Sequence, residues 1–268
     1  MPEAPARPRR DYEAPRRALM GFARDLIFGR RRSFARDGRM MLDANAFARR
    51  IDGVEHIPPE GRFIVVMNHL SRRGLRPYHC ALIVSATVAR VRPDRTEVRW
   101  AFTSEMYDQR FGPIPIPPSL VRWVFRRIAL VYNLVIMPRE EELVSGRAVA
   151  VRRMRRALER GPVGLTPEAV GQGALVEPPV GSGLFLAMLA GRGAPLLPVA
   201  AWEEADAAPA LRFGPPFHVS ITRGTSRTEE DDLVRRQTMV AIGRLMPRAW
   251  RGAYAEAIAA AETTSGPT

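Results

Sequence analysis

A single histidine sits where a general base could work. Residues 62–67 (RFIVVM) form an apolar run of strand length that leads directly into Asn68-His69 and then a polar loop. Ligands of an α/β sheet approach the carboxyl ends of its strands, so an imidazole just past such a strand can meet a substrate and take a proton from it. The Asn68 side chain is able to fix the local turn. Taken alone, a histidine so placed is more often structural than catalytic, and the surrounding segments have to decide. His79 and Cys80 invite metal-binding or thiol chemistry, yet no second cysteine or suitably spaced histidine pair completes a site. They are expected to be side chains of a helix packed on the sheet, and neither a metal nor a bound cofactor is expected.

The elements that must position His69 follow from periodicity. Residues 53–61 are turn-rich and precede the strand; Pro77 can open a helix running to about residue 90, and residues 97–102 have the pattern of a second strand. Residues 117–131 are helical in spacing, and 134–137 resemble a short strand. A further helix at 147–160 carries Val151, Met154 and Leu158 on one face and arginines on the others, stopped by Gly161-Pro162. Residues 163–166 begin another strand. A Gly/Pro-rich loop (167–181), a helix (182–191) and a buried strand (195–202) follow, with Glu203-Glu204 expected as a solvated strand end. Thr228, followed by Glu229, Glu230, Asp231 and Asp232, marks a helix N-terminus, acidic where the dipole favours acid. Strands alternating with helices predict a single-domain α/β fold, a largely parallel mixed sheet covered by helices on both faces, with no internal repeat.

The flanks differ from this core. Residues 1–17 are rich in proline and charge and predict an unstructured basic arm, and 263–268 a loose tail. Within 18–50, Leu19, Phe22, Ala23 and Leu26, with Ile27 and Phe28 beside them, follow helical spacing and end at Arg30-Arg31-Arg32. Two roles suit this amphipathic helix: docking on anionic lipid, where apolar burial and guanidinium attraction add, or packing on the main domain at 51–262 with its cations complementing the helix dipole. Trp123, Phe125 and Leu130, set among Arg122, Arg126 and Arg127, fit an acyl-binding or membrane-facing surface and equally an ordinary amphipathic core helix.

Composition narrows the class. The 268 residues, 46% hydrophobic, suffice to build a real core. All forty-one basic residues are arginine, set against 28 acidic ones, for a net charge of +13. Such permanent positive charge suits an anionic membrane surface, a coenzyme A or acyl-carrier-protein phosphate, or nucleic acid. Nucleic acid is not expected, because no nucleic-acid motif accompanies the charge. The one cysteine excludes an intrachain disulfide, and the absence of a signal-like N-terminus predicts an intracellular protein. The longest nearly apolar stretch, residues 80–89, is about half of the roughly 20 residues a bilayer crossing needs, so membrane contact is expected to be peripheral, at the inner face of the cell membrane.

Four segments resemble the glycerol-phosphate and lysophosphatidate acyltransferase family in its own order, over roughly residues 51–205. Val54-Glu55-His56-Ile57-Pro58 followed by Ile64-Val65-Val66-Met67-Asn68-His69 is similar to the lead-in to the family's histidine-aspartate motif. Val135-Ile136-Met137-Pro138-Arg139 resembles the second block, Gly164-Leu165-Thr166-Pro167-Glu168 the third, and Ala194-Pro195-Leu196-Leu197-Pro198-Val199-Ala200 the fourth. The resemblance implies transfer of a fatty acyl group from acyl-CoA or acyl-carrier protein, as co-substrate, to a hydroxyl of a lysophospholipid or related lipid. His69 would be the base, and Asn68, Arg139, Pro167 and Glu168 would contact the acceptor.

Two departures bear on that expectation. Relatives carry an aspartate after the histidine, whereas this chain reads Leu70-Ser71-Arg72-Arg73-Gly74, and alignment on Pro77 puts Arg76 in the aspartate's place. Glu105 and Asp108 are candidate substitutes for orienting the ring. After Pro167-Glu168 the chain continues Ala169-Val170-Gly171, without the Gly-Thr-Arg that helps bind phosphate in relatives, so either the acceptor differs or Arg72, Arg73 and Arg76 bind phosphate from the other side. The alternative is a lipid or acyl-CoA binder of the same fold that no longer catalyses.

Overall fold

The computed structural model describes residues 14–45, 50–72, 74–103, 110–111, 114–115, 117–137, 143–169, 171, 173–191, 193–204, 209–221 and 224–264. Two helices come first: α1 (Arg16–Phe28), ended by Gly29 in the left-handed conformation, and α2 (Phe34–Ala44), whose N-cap Ser33 accepts the Arg36 N–H at 2.9 Å. Arg32 joins them, reaching Asp25 and Asp37 at 2.8 Å each. The α/β order then runs β1 (Arg50–Asp52), β2 (Ile64–Met67), α3 (Pro77–Val91), β3 (Arg99–Thr103), a ribbon of β4 (Arg110–Phe111) and β5 (Ile114–Pro115), α4 (Pro118–Tyr132), β6 (Val135–Met137) and α5 (Leu143–Leu158). It closes with β7 (Val163–Leu165), α6 (Ser182–Ala190), β8 (Leu196–Glu203), β9 (Pro209–Phe213), α7 (Arg227–Arg244) and α8 (Ala255–Thr264).

Seven strands form one sheet in the order β1-β9-β8-β2-β7-β3-β6. Neighbours are parallel except β8 and β9, so the sheet is the largely parallel, mixed one that the alternating pattern predicts. β2 lies between β8 and β7, with Val65 opposite Leu197 on one side and Gly164 on the other. Pleating divides its side chains between two cores. Val65 and Met67 pack with α2 and α3 residues such as Phe34, Met41 and Ile83. Ile64 and Val66 pack on the opposite face with Met154 of α5, Leu186 of α6 and Val234 of α7. All four strand residues are completely buried, which is why this run is continuously apolar and not alternating.

The structure adds elements that sequence periodicity does not reveal. α2 is separate from α1, and β1 and β9 pair at one edge. α7 starts earlier than Thr228: its N-cap is Ser226, which with Glu229 forms a reciprocal capping box. α8 continues to Thr264, past the beginning of the expected tail. The N-terminal helix packs on the main domain, the second of its two candidate roles, and keeps part of its apolar face exposed. Phe22 stacks on Tyr132 of α4 at 5.8 Å, while Leu19, Met20, Ile27 and Phe28 remain exposed.

Candidate active site

The site grows from the carboxyl ends of the three central strands. Asn68 continues β2 by one residue, and its side-chain amide stands in for a peptide group toward β8. Its Nδ2 donates to the Ala201 carbonyl at 2.8 Å, and its Oδ1 accepts the Ala201 N–H at 2.7 Å. Asn68 is buried, so this double bond satisfies groups that water cannot reach. It extends the ladder while freeing the chain to turn, and His69 comes out at the sheet's edge.

From the neighbouring strand β7 the chain turns through Pro167 and Glu168, with Ala169 held at φ +58°. A non-glycine residue in that region stores strain, which the surroundings must hold in place. The holding group is Glu168. Its carboxylate accepts the His69 N–H at 2.5 Å and, through the other oxygen, the Val176 N–H at 2.9 Å. Burial raises its pKa, against the two backbone donors that favour the charged form. One side chain thus ties the 167–181 loop to the histidine turn.

That loop returns a backbone carbonyl to the ring. His69 Nδ1 lies 3.1 Å from the Gly171 oxygen. A carbonyl only accepts, so Nδ1 carries the proton and Nε2 keeps its lone pair. Burial lowers the imidazole's pKa, against the Gly171 bond, and so favours the neutral ring. Only glycine permits this approach: a Cβ at residue 171 would lie 2.8 Å from the His69 oxygen. Among the described residues the ring's hydrogen-bond partner is this peptide carbonyl, which fixes the tautomer without supplying a full negative charge.

The other predicted residues divide clearly. Arg72 is bound to Glu203 at the end of β8, and both side chains are largely buried, so Glu203 is not the solvated strand end expected of it. Glu204 likewise accepts the Trp202 Nε1–H at 2.8 Å. Arg76 is the exposed N-cap of α3. The imidazole that its charge depresses is His79, not His69: burial first, then Arg76 and Arg72, pull His79 down to about 4. His79 Nδ1 accepts the Arg76 N–H at 3.0 Å, closing the first turn of the helix. Cys80 is fully buried and its thiol is pushed up to about 12, which leaves it unreactive. Both are the packed helix residues that their isolation in the sequence predicts. Pro167 is buried beside Glu168. Arg73, Glu105, Asp108 and Arg139 lie outside the described residues. Among the described residues no cluster of three or more His, Cys, Asp or Glu side chains could hold a metal ion.

Gly171 and Ala201 are the site members that sequence reasoning does not reach. Both act through backbone atoms, and only the glycine at 171 leaves any trace in the sequence.

No protein-family model matches the chain, and no curated protein matches its sequence. Among solved structures it is similar to the 1-acyl-sn-glycerophosphate (LPA) acyltransferase PlsC from Thermotoga maritima, with 18% identity and a TM-score of 0.43 over 81% of this chain and 86% of that one.

Proposed function

We infer that the protein is an O-acyltransferase that moves a fatty acyl group from acyl-CoA or acyl-carrier protein to a hydroxyl of a lysophospholipid or related lipid, with His69 as general base. The observation that carries this reading is the 3.1 Å contact between His69 Nδ1 and the Gly171 carbonyl, which leaves Nε2 as the acceptor at the carboxyl edge of the sheet. Nε2 takes the proton of the acceptor hydroxyl as its oxygen bonds to the thioester carbon. The tetrahedral intermediate then collapses, the C–S bond breaks, and the departing thiolate recovers the proton from the imidazolium. No metal and no covalent enzyme intermediate is needed. Arg76, with Arg73, Arg139 and Pro167, contacts the acceptor, while Arg72 acts through its pairing with Glu203.

Membrane access belongs to the same reading. No helix of the described residues is long and apolar enough to cross a bilayer. Leu19, Met20, Ile27 and Phe28 of α1 and Leu120, Trp123 and Leu130 of α4 are exposed apolar side chains on two helices that pack together, interspersed with arginines. This surface suits peripheral association with the anionic inner face of a membrane, where the lipid acceptor resides.

One observation favours a second reading, a lipid or acyl-CoA binder without turnover: among the described residues the ring's partner is a neutral carbonyl, which offsets little of an imidazolium's charge. Incubation of the protein with palmitoyl-CoA and a pool of lysophospholipids, glycolipids and lipid alcohols, followed by mass spectrometry, decides between them. An acylated product above the no-enzyme background identifies an acyltransferase and its acceptor. Bound acyl-CoA without any product identifies the binder.

A further inference from the structure

The opposite edge of the sheet has its own concentration of charge. β3 starts at Arg99 and β6 at Val135, and a cavity of about 460 Å³ opens beside these amino ends, whereas His69 follows a carboxyl end. Its lining includes Arg31, Arg99, Arg126, Arg153, Arg156 and Arg160 and no acidic residue. The spacing of Arg153, Arg156 and Arg160 puts all three on one stripe of the α5 region, so the convergence is built by the helix. Ala129, Leu134 and Ile136 supply an apolar wall.

Among the described residues no carboxylate lines this cavity. None of the six guanidiniums makes an ion pair or side-chain hydrogen bond with another described residue. Arg99 is half-buried, and its pKa is lowered by burial and then by Arg160 and Arg31, a sign of mutual repulsion among the guanidiniums. The carboxyl ends of α4 and α5 together contribute only about one negative charge, roughly half from each helix. Guanidiniums that converge without carboxylates are suited to phosphate oxygens, which they bind through paired N–H donors. The volume lies within the range of small-molecule sites.

We propose that this arginine cavity binds a multiply charged phosphate group, at a site separate from the acyl-transfer centre. A soluble polyphosphate compound and a phospholipid headgroup present the same chemistry, and the test separates them.

The probes are inorganic triphosphate, titrated by calorimetry, and phosphatidylcholine vesicles containing phosphatidic acid, followed by co-sedimentation. The full chain is compared with Arg153→Gln/Arg156→Gln, whose changes fall on exposed helical positions that glutamine tolerates. A second variant, Arg36→Gln/Arg39→Gln, removes the same charge from the exposed surface of α2. The expected result is triphosphate binding weakened by on the order of tenfold or more in the cavity variant, and unchanged in the α2 variant and in His69→Ala. If the loss is confined to vesicle binding, again only in the cavity variant, the same site takes a lipid headgroup. Equal weakening in both arginine variants, or binding of neither probe by the wild type, would overturn the assignment.

Discussion

The carboxylate of Glu168 accepts the backbone N–H of His69 at 2.5 Å and holds Val176 with its second oxygen, so one buried side chain from the β7 turn fixes both the histidine turn and the loop whose carbonyl meets the ring. This clamp brings Gly171 to the imidazole. Among the described residues no carboxylate bonds to the ring, so its position rests on this loop.

Glu168→Gln tests the clamp. An amide offers one acceptor oxygen, so one of the two backbone donors must face an NH₂ group. The expected loss of stability is roughly 1–3 kcal/mol, read from denaturant unfolding. Turnover should fall more than the apparent affinity for acyl-CoA changes, because the ring loses its position.

Gly171→Ala addresses the carbonyl directly. The added Cβ would stand 2.8 Å from the His69 oxygen, so the backbone must move away. Displacing the carbonyl releases the tautomer, and kcat is expected to fall on the order of 10²-fold while the protein stays folded by circular dichroism. Wild-type turnover in this variant would show that the carbonyl does not orient the base.

Asn68→Ala should act mainly on stability. It strips the Ala201 N–H and carbonyl of their partners at a buried position. Two unsatisfied groups cost roughly 2–5 kcal/mol, measurable by chemical denaturation.

His79 predicts a pH dependence of stability unrelated to catalysis. Its folded pKa of about 4 lies below the ordinary 6.5, so between these values the unfolded chain binds the proton more readily than the folded one. Stability is therefore full above about 6.5 and declines as pH falls toward 4, by roughly 3 kcal/mol from this residue. His79→Gln keeps an acceptor for the Arg76 N–H and removes the titration. Its thermal midpoint should accordingly vary less between neutral and acid pH than that of the wild type.

Much of this architecture was legible in the sequence because burial on both faces leaves a plain signal. The runs that became β2, β7 and β8 are nearly uninterrupted apolar stretches, and Pro77 and Gly161-Pro162 mark helix limits through fixed backbone chemistry. The edge pair β1 and β9 escaped notice, since Arg50–Asp52 is three residues long and polar at its ends. His69 stood out by its place after β2. The groups that tune it did not, because they are a peptide oxygen, a peptide N–H and ion pairs formed between distant residues. Arg72 and Glu203, 131 residues apart, each looked like a free charge until the fold joined them.

The most direct test of the account is the single-turnover rate of acyl transfer from palmitoyl-CoA in wild type and His69→Ala, with acyl-CoA affinity measured on the same samples. General-base catalysis predicts a rate lower by roughly 10²–10⁴-fold in the variant at unchanged affinity. Equal rates in the two proteins would contradict the assignment of His69 as the base.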